Sequence, residues 1–248
     1  MSVQQNIVKI KSLYYQYDHS APIFKDLSFS INENAIISII GSSGSGKSTL
    51  LNIIAGLIQP TGGDVTMKEL NISYLTQTVT LLPYRTAIEN TLLALELRGL
   101  LTENKINEAI KLFDLFDLNK SSLNKYPEQL SGGMKQRVGL IQTMLLDASL
   151  YLLDEPFTAI DRKTYLKIAK NIWSLLRLNG RAAVIVTHDI EQAVLLSDRI
   201  VLLNSNTKTL LKDILFREEF IAMSPEQRKH DIEFDKYFIE IIKSQNEE

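Results

Sequence analysis

Three short, mostly apolar runs, the first and third rich in β-branched residues and all stopped abruptly by polar ones, recur at residues 35–40, 150–153 and 182–186. Near-continuous apolar runs of this length predict parallel strands buried on both faces, because a half-exposed strand alternates instead. A fourth run at 199–203 predicts another such strand. Each of the first three stops at a polar segment: residues 41–49, Asp154 with Glu155, and residues 187–189. In a doubly wound α/β sheet, ligands sit beyond the carboxyl ends of the strands, so these segments are expected to converge there.

Between the first and second of these runs the period changes. Residues 87–98 have helical spacing and meet Gly99, a residue that suits a helix C-terminal stop. Thr102 is a candidate N-cap, with Ile106, Ala109, Ile110 and Phe113 following on one helix face. Leu166, Ala169, Ile172, Trp173 and Leu176 form a further stripe, in which Trp173 is read as core. The pattern predicts a single α/β domain over 1–248. Its core is 1–77 and 138–205, with a helical insertion from about 78 to 129 that extends to 137 with the motif described below. The tail, 206–248, is mixed and charged, with a short helix expected at 234–243.

The first polar segment is Gly41, Ser42, Ser43, Gly44, Ser45, Gly46, Lys47, Ser48 and Thr49. It fits the phosphate-loop pattern G-x-x-x-x-G-K-[ST], with an apolar strand before it and an apolar helix after it. Its glycines let the backbone curl so that N–H groups point at phosphate oxygens. Lys47 is expected to reach the β- and γ-phosphates of a nucleoside triphosphate, and the Ser48 hydroxyl to bind Mg²⁺. Two carboxylates at the tip of an apolar strand are costly unless something compensates their charge. Asp154 is therefore assigned to Mg²⁺, and Glu155 to the attacking water as general base.

Composition removes several other classes. With no cysteine, disulfides, thiolate metal sites and cysteine catalysis are excluded. The histidines are His19, His188 and His230, in no zinc-ligand spacing. A net charge of -2 leaves no global basic field, so nucleic acid is not an expected partner. The first residues lack a secretory-leader pattern, so none is expected. No run approaches the roughly 18 apolar residues of a membrane span, so any work at a membrane is expected to go through a separate partner.

Residues 130–137, Leu-Ser-Gly-Gly-Met-Lys-Gln-Arg, decide between phosphate-loop families. Ser131 can cap a helix, and two glycines expose N–H groups at its start, making a second anion site without a lysine. The segment resembles the LSGGQ signature of ABC ATPases. The resemblance runs from about residue 7 to 204. It implies an ABC ATPase fold of the P-loop NTPase class: a RecA-like core, an antiparallel β subdomain and an inserted helical subdomain. It also implies that Ser131, Gly132, Gly133 and Met134 contact ATP held by a second copy, so that a homodimer forms with ATP. Gln77 resembles the glutamine that senses Mg²⁺ and γ-phosphate. Asp161 lies in a segment similar to the D-loop, and His188 in one similar to the switch histidine that bonds the γ-phosphate. Tyr17 stands where the family stacks an aromatic ring on adenine, with Tyr14 and Tyr15 as rivals.

The sequence departs from the family pattern at Met134, where Gln is usual, and at Gln142, where Arg is usual. Only nine residues lie between Met67 and Gln77, so the usual hairpin region is trimmed. Phe157 and the stretch 81–90 resemble importer subunits of the nitrate, sulfonate and taurine type. The resemblance thus implies a motor bound to a permease at the cytoplasmic face of the membrane, with a separate extracytoplasmic substrate-binding protein and a small solute as cargo. The alternatives are an exporter subunit or a soluble relative acting on ribosomes or DNA.

Overall fold

The computed structural model describes residues 5–18 and 20–246, so His19 lies outside the described residues. The chain opens with β1 (Asn6–Tyr15), β2 (Phe24–Asn32) and β3 (Ile36–Ile40), then turns through residues 41–46 into α1 (Lys47–Ile54). Strands β4 (Gly62–Met67) and β5 (Ile72–Leu75) follow, then helices α2 (Ala87–Leu97), α3 (Glu103–Leu115) and α4 (Gly132–Leu145). Alternation resumes with β6 (Leu150–Asp154), α5 (Arg162–Leu178), β7 (Ala182–Val186), α6 (Ile190–Leu196) and β8 (Arg199–Leu203). The chain closes with β9 (Leu210–Leu215), α7 (Glu218–Ile221), α8 (Pro225–Lys229) and α9 (Ile232–Asn246).

The central sheet has the order β5-β6-β7-β3-β8-β9 and is parallel except for β9, which pairs antiparallel with β8. Every residue of β3, β6 and β7 is buried, which is why these strands read as near-continuous apolar runs, with Ser38 inside β3 and Asp154 closing β6. Two boundaries differ by one residue from the sequence pattern: β3 begins at Ile36, and β6 runs on to Asp154. Asp154 pairs with Val186 in the parallel register, so its carboxylate stands at the last rung of the sheet.

A second sheet, β2-β1-β4, is antiparallel. Its alternation is interrupted in β1 at Ser12, where φ is 46° and the register slips against both neighbours. Gly63 crosses there with φ 79°, and a Cβ on it would lie 2.2 Å from the Ser12 carbonyl oxygen. The slip turns Leu13 and Tyr15 inward after Val8 and Ile10, leaving Tyr14 facing outward. Residues 68–71 alone connect β4 of this sheet to β5 of the other.

Helix α2 starts with a reciprocal cap between Thr86 and Glu89, and Gly99 with φ 68° follows its last turn. Thr102 caps α3, accepting the Lys105 N–H at 3.3 Å. Both helices pack against α4. The tail is more ordered than its composition predicts. Phe216, Phe220 and Tyr237 cluster with ring centroids 4.2–5.5 Å apart. Asp231 accepts the Glu233 N–H at 2.8 Å, so α9 begins before residue 234. No helix among the described residues is long and apolar enough to cross a membrane.

Candidate active site

Beyond β3, the loop 41–46 holds Gly44 at φ 80° and Gly46 at φ 93°. A Cβ at Gly46 would lie 2.4 Å from Ile23 Cγ2 and 2.8 Å from Phe24 Cζ, so only glycine fits. Lys47 Nζ folds back and donates to the carbonyls of Gly41 at 2.8 Å and Ser42 at 2.9 Å. Burial lowers the Lys47 pKa, against the pull of Glu155 and then Asp154. Ser45 is buried, and its hydroxyl has no hydrogen-bond partner. A cavity of about 400 Å³ opens over this loop. Its walls include Ser43, Gly44, Gly46, Lys47, Ser48 and Thr49, together with Gln77, Asp154, Glu155 and His188. The three strand-end segments therefore meet in one place.

Asp154 is buried, and burial raises its pKa, whereas a hydrogen bond with Ser48 lowers it. Among the described residues no group of three or more His, Cys, Asp or Glu side chains is placed to hold a metal. The Ser48 hydroxyl and one carboxylate beside a roomy cavity suit Mg²⁺, which keeps several waters and takes few protein oxygens. Glu155 leaves the sheet with φ 49°, a costly conformation for a side chain of its size. Its N–H donates to the Val186 carbonyl at 2.9 Å, and its Oε1 lies 2.8 Å from His188 Nδ1. The imidazole thus engages the carboxylate expected to act as base, on the rim of the cavity where a γ-phosphate contact was assigned to it.

The β1 slip separates the three tyrosines. Tyr15 is buried in the sheet, and Tyr14 bonds Gln16 at 2.8 Å. Tyr17 is 43% exposed, edge-on to Tyr15, with its hydroxyl 3.3 Å from Thr49 Oγ1. It is the tyrosine standing beside the phosphate loop.

Ser131, Gly132, Gly133, Met134 and Asp161 line no part of this cavity. Ser131 caps α4, accepting the Met134 N–H at 3.3 Å. Asp161 caps α5 through the N–H groups of Lys163 at 3.1 Å and Thr164 at 3.0 Å, bonds that hold its pKa below the usual range. The two segments meet at Ala159, whose carbonyl oxygen would lie 2.5 Å from a Cβ on Gly133. Gln136, which sequence reasoning passed over, is buried and donates to the carbonyls of Glu155 at 3.4 Å and Pro156 at 3.3 Å. A polar residue on the apolar side of α4 was the available signal. Ile23, another wall of the cavity, gave none.

The profile of the ABC transporter family matches residues 24–158. The uncharacterized ABC transporter ATP-binding protein YtlC of Bacillus subtilis (strain 168) is 37% identical over 243 residues, 94% of this chain and 92% of that one. The chain belongs to the ABC transporter family. It is an ATP-binding subunit of that family, with the cassette fold and the ATP-hydrolysing activity of the class. The taurine import ATP-binding protein TauB of Yersinia pestis bv. Antiqua (strain Antiqua) is 34% identical over 209 residues, 80% of each chain. The nitrate import ATP-binding protein NrtC of Synechococcus elongatus is 34% identical over 247 residues, 92% of this cassette but 37% of that longer protein. Among solved structures, a dimeric ATP-binding cassette in a post-hydrolysis state with ADP and Pi superposes with a TM-score of 0.77 at 31% identity. That match covers 85% of this chain and 99% of that one.

Proposed function

We propose that this cassette is the motor subunit of an importer for a small anion or other small solute, and that two copies close head to tail over two ATP molecules. One observation carries the reading: the chain has two anion-ready sets of groups, and only one borders the cavity. The phosphate loop, Asp154, Glu155 and His188 face the cavity, while Ser131–Gly133 and Asp161 face elsewhere. Two-fold symmetry pairs each set with the other in an isologous interface.

With ATP in the loop, Lys47 exchanges the Gly41 and Ser42 carbonyls for phosphate oxygens. Ser48, Gln77 and Asp154 would hold Mg²⁺, which neutralises phosphate charge when bound. Glu155 takes a proton from water as its oxygen attacks the γ-phosphorus and the bond to the β-γ bridging oxygen breaks. His188 orients Glu155 and turns to the γ-phosphate as the site closes, and Tyr17 stacks on adenine. Residues 78–137 act as a helical body inserted in the core of 1–77 and 138–205. Tyr84 is 72% exposed and Leu97 78% exposed, and their neighbours Arg85 and Glu96 pair at 2.5 Å. This face suits a permease helix, which puts the cassette at the cytoplasmic side of a membrane. The import names of TauB and NrtC support that direction and imply a separate extracytoplasmic binding protein.

Glu155→Gln keeps the shape of the site but removes the base. Turnover should fall by roughly 10²–10⁴-fold. With ATP and Mg²⁺ the variant should elute as a dimer in light-scattering chromatography. A variant that stays monomeric at saturating ATP would overturn the reading.

A further inference from the structure

Helix α8 spans the two helices that leave the site. Ser224 caps it in a reciprocal pair with Gln227, and Pro225 stands at its first position. Arg228, 0% exposed, is the largest fully buried side chain among the described residues. A buried guanidinium is costly unless its donors are met. Here backbone carbonyls meet them. Nη1 donates to Ser197 at 2.6 Å, Leu195 at 3.1 Å and Val194 at 3.4 Å, Nη2 to Ile221 at 2.8 Å, and Nε to Phe220 at 3.0 Å. Val194 and Leu195 belong to the last turn of α6 and Ser197 is its C-cap, where helix carbonyls lack intrahelical partners. The nearest carboxylate, Asp198 at 3.8 Å, already pairs with Arg177 and accepts the Ile36 N–H at 2.8 Å.

The next residue of α8 grips the other end of the same helix. Lys229 Nζ lies 3.0 Å from Glu191 Oε1, in the first turn of α6, and Arg162 of α5 lies 3.3 Å from Glu191 Oε2. Glu226 pairs with Lys170 of α5 at 3.0 Å. Helix α6 has only 7 residues and is capped at its start by Asp189, the neighbour of His188. An apolar residue at 228 would fill the same volume at lower desolvation cost. What it would lack is a fork that meets three carbonyls at the end of α6 in one fixed register.

We infer that α8 positions His188: Arg228 and Lys229 set the placement of α6, and through it the imidazole against Glu155. Arg228 and Lys229 are positioning residues, since neither touches the reacting atoms. The inference rests on the hydrolytic roles proposed for Glu155 and His188.

The test is steady-state ATP hydrolysis by the full chain carrying Arg228→Lys or Lys229→Met. Arg228→Lys keeps charge but not the fork, and kcat should fall by about 10- to 100-fold, the scale of a small misplacement of a catalytic group. Lys229→Met removes a single half-exposed pair, and kcat should fall by about two- to fivefold. KM for ATP should stay within about twofold in both, because the phosphate loop is untouched. On a His188→Ala background, with residual turnover read at high protein concentration, neither substitution should lower kcat further. Equal losses in both backgrounds, or native kcat in both single variants, would overturn the inference. Lys229→Met carries the comparison alone if Arg228→Lys does not fold. Glu155→Gln run alongside separates the two levels: unchanged turnover there overturns the site reading, whereas lost turnover there beside native kcat in both single variants overturns only the positioning role.

Discussion

Burial raises the pKa of Asp154 above its ordinary 3.8, and the Ser48 hydrogen bond only partly reverses this. The native chain therefore holds that proton more tightly than the unfolded chain does. Stability from this group is complete below the unfolded value and is lost as pH rises through the raised native one. At neutral pH the ionised carboxylate opposes folding, which is expected of a group retained for metal and phosphate chemistry. Asp154→Asn should raise the melting temperature at pH 7 by about 2–4 °C per kcal/mol recovered. The gain should vanish below about pH 4, and ATP hydrolysis should be lost at every pH. A lower melting temperature at pH 7 would show that the charge stabilises the fold. The convergence of Lys47, Ser48 and Glu155 on one cavity was legible, because each sits in a local motif at a strand end. The Glu155–His188 contact was not, because 33 positions separate them and only the β6–β7 register brings them together. Tyr17 was chosen over Tyr14 and Tyr15 from the family resemblance alone; the one-residue slip in β1, which no composition signals, is what sets the three apart in the structure.

At the scale of elements, β3, β6 and β7 announced themselves because both of their faces are covered, so Ser38 is the one polar position that interrupts their apolar runs. Strands β1, β2 and β4 did not, since one face meets solvent and the bulge at Ser12 breaks the period. The cap of α3 at Thr102 was readable for the opposite reason, because a cap is a local interaction between residues three apart, whereas the equally local Thr86–Glu89 pair of α2 went unread. Helix α4 joins the signature segment to the acidic strand tip through two close contacts, Gly133 on Ala159 and Gln136 on Glu155. Gly133→Ala sets a methyl 2.5 Å from a backbone oxygen, so the start of α4 must withdraw. Overpacking of this kind costs about 1–3 kcal/mol. Thermal melts should show a matching drop, together with weaker ATP-induced dimerisation. Full stability and native dimerisation would show that the loop around Ala159 yields freely.

Across the whole molecule the phosphate loop borders a cavity that the signature segment 131–134 does not line. Ser131 lines no part of that cavity, and the neighbouring Gly133 packs on the Ala159 carbonyl, which is the arrangement the proposed sharing of ATP between two copies rests on. The tail, whose mixed composition gave little sign of order, ties α5, α6 and α9 into one body behind the site through Arg228 and the Phe216–Tyr237 cluster. Its order comes from contacts across the chain rather than from local propensity, which is why the sequence pattern missed most of it. The central claim, that each ATP is shared between copies, is tested most directly by mixing two inactive variants. Lys47→Ala removes the loop's lysine but leaves the signature, and Ser131→Arg does the reverse. A mixed dimer then contains one intact shared site and one doubly broken one. Equal amounts of the two proteins, each silent alone, should regain ATP hydrolysis on mixing. Activity that stays at the sum of the separate proteins, with both still folded, would contradict a shared site.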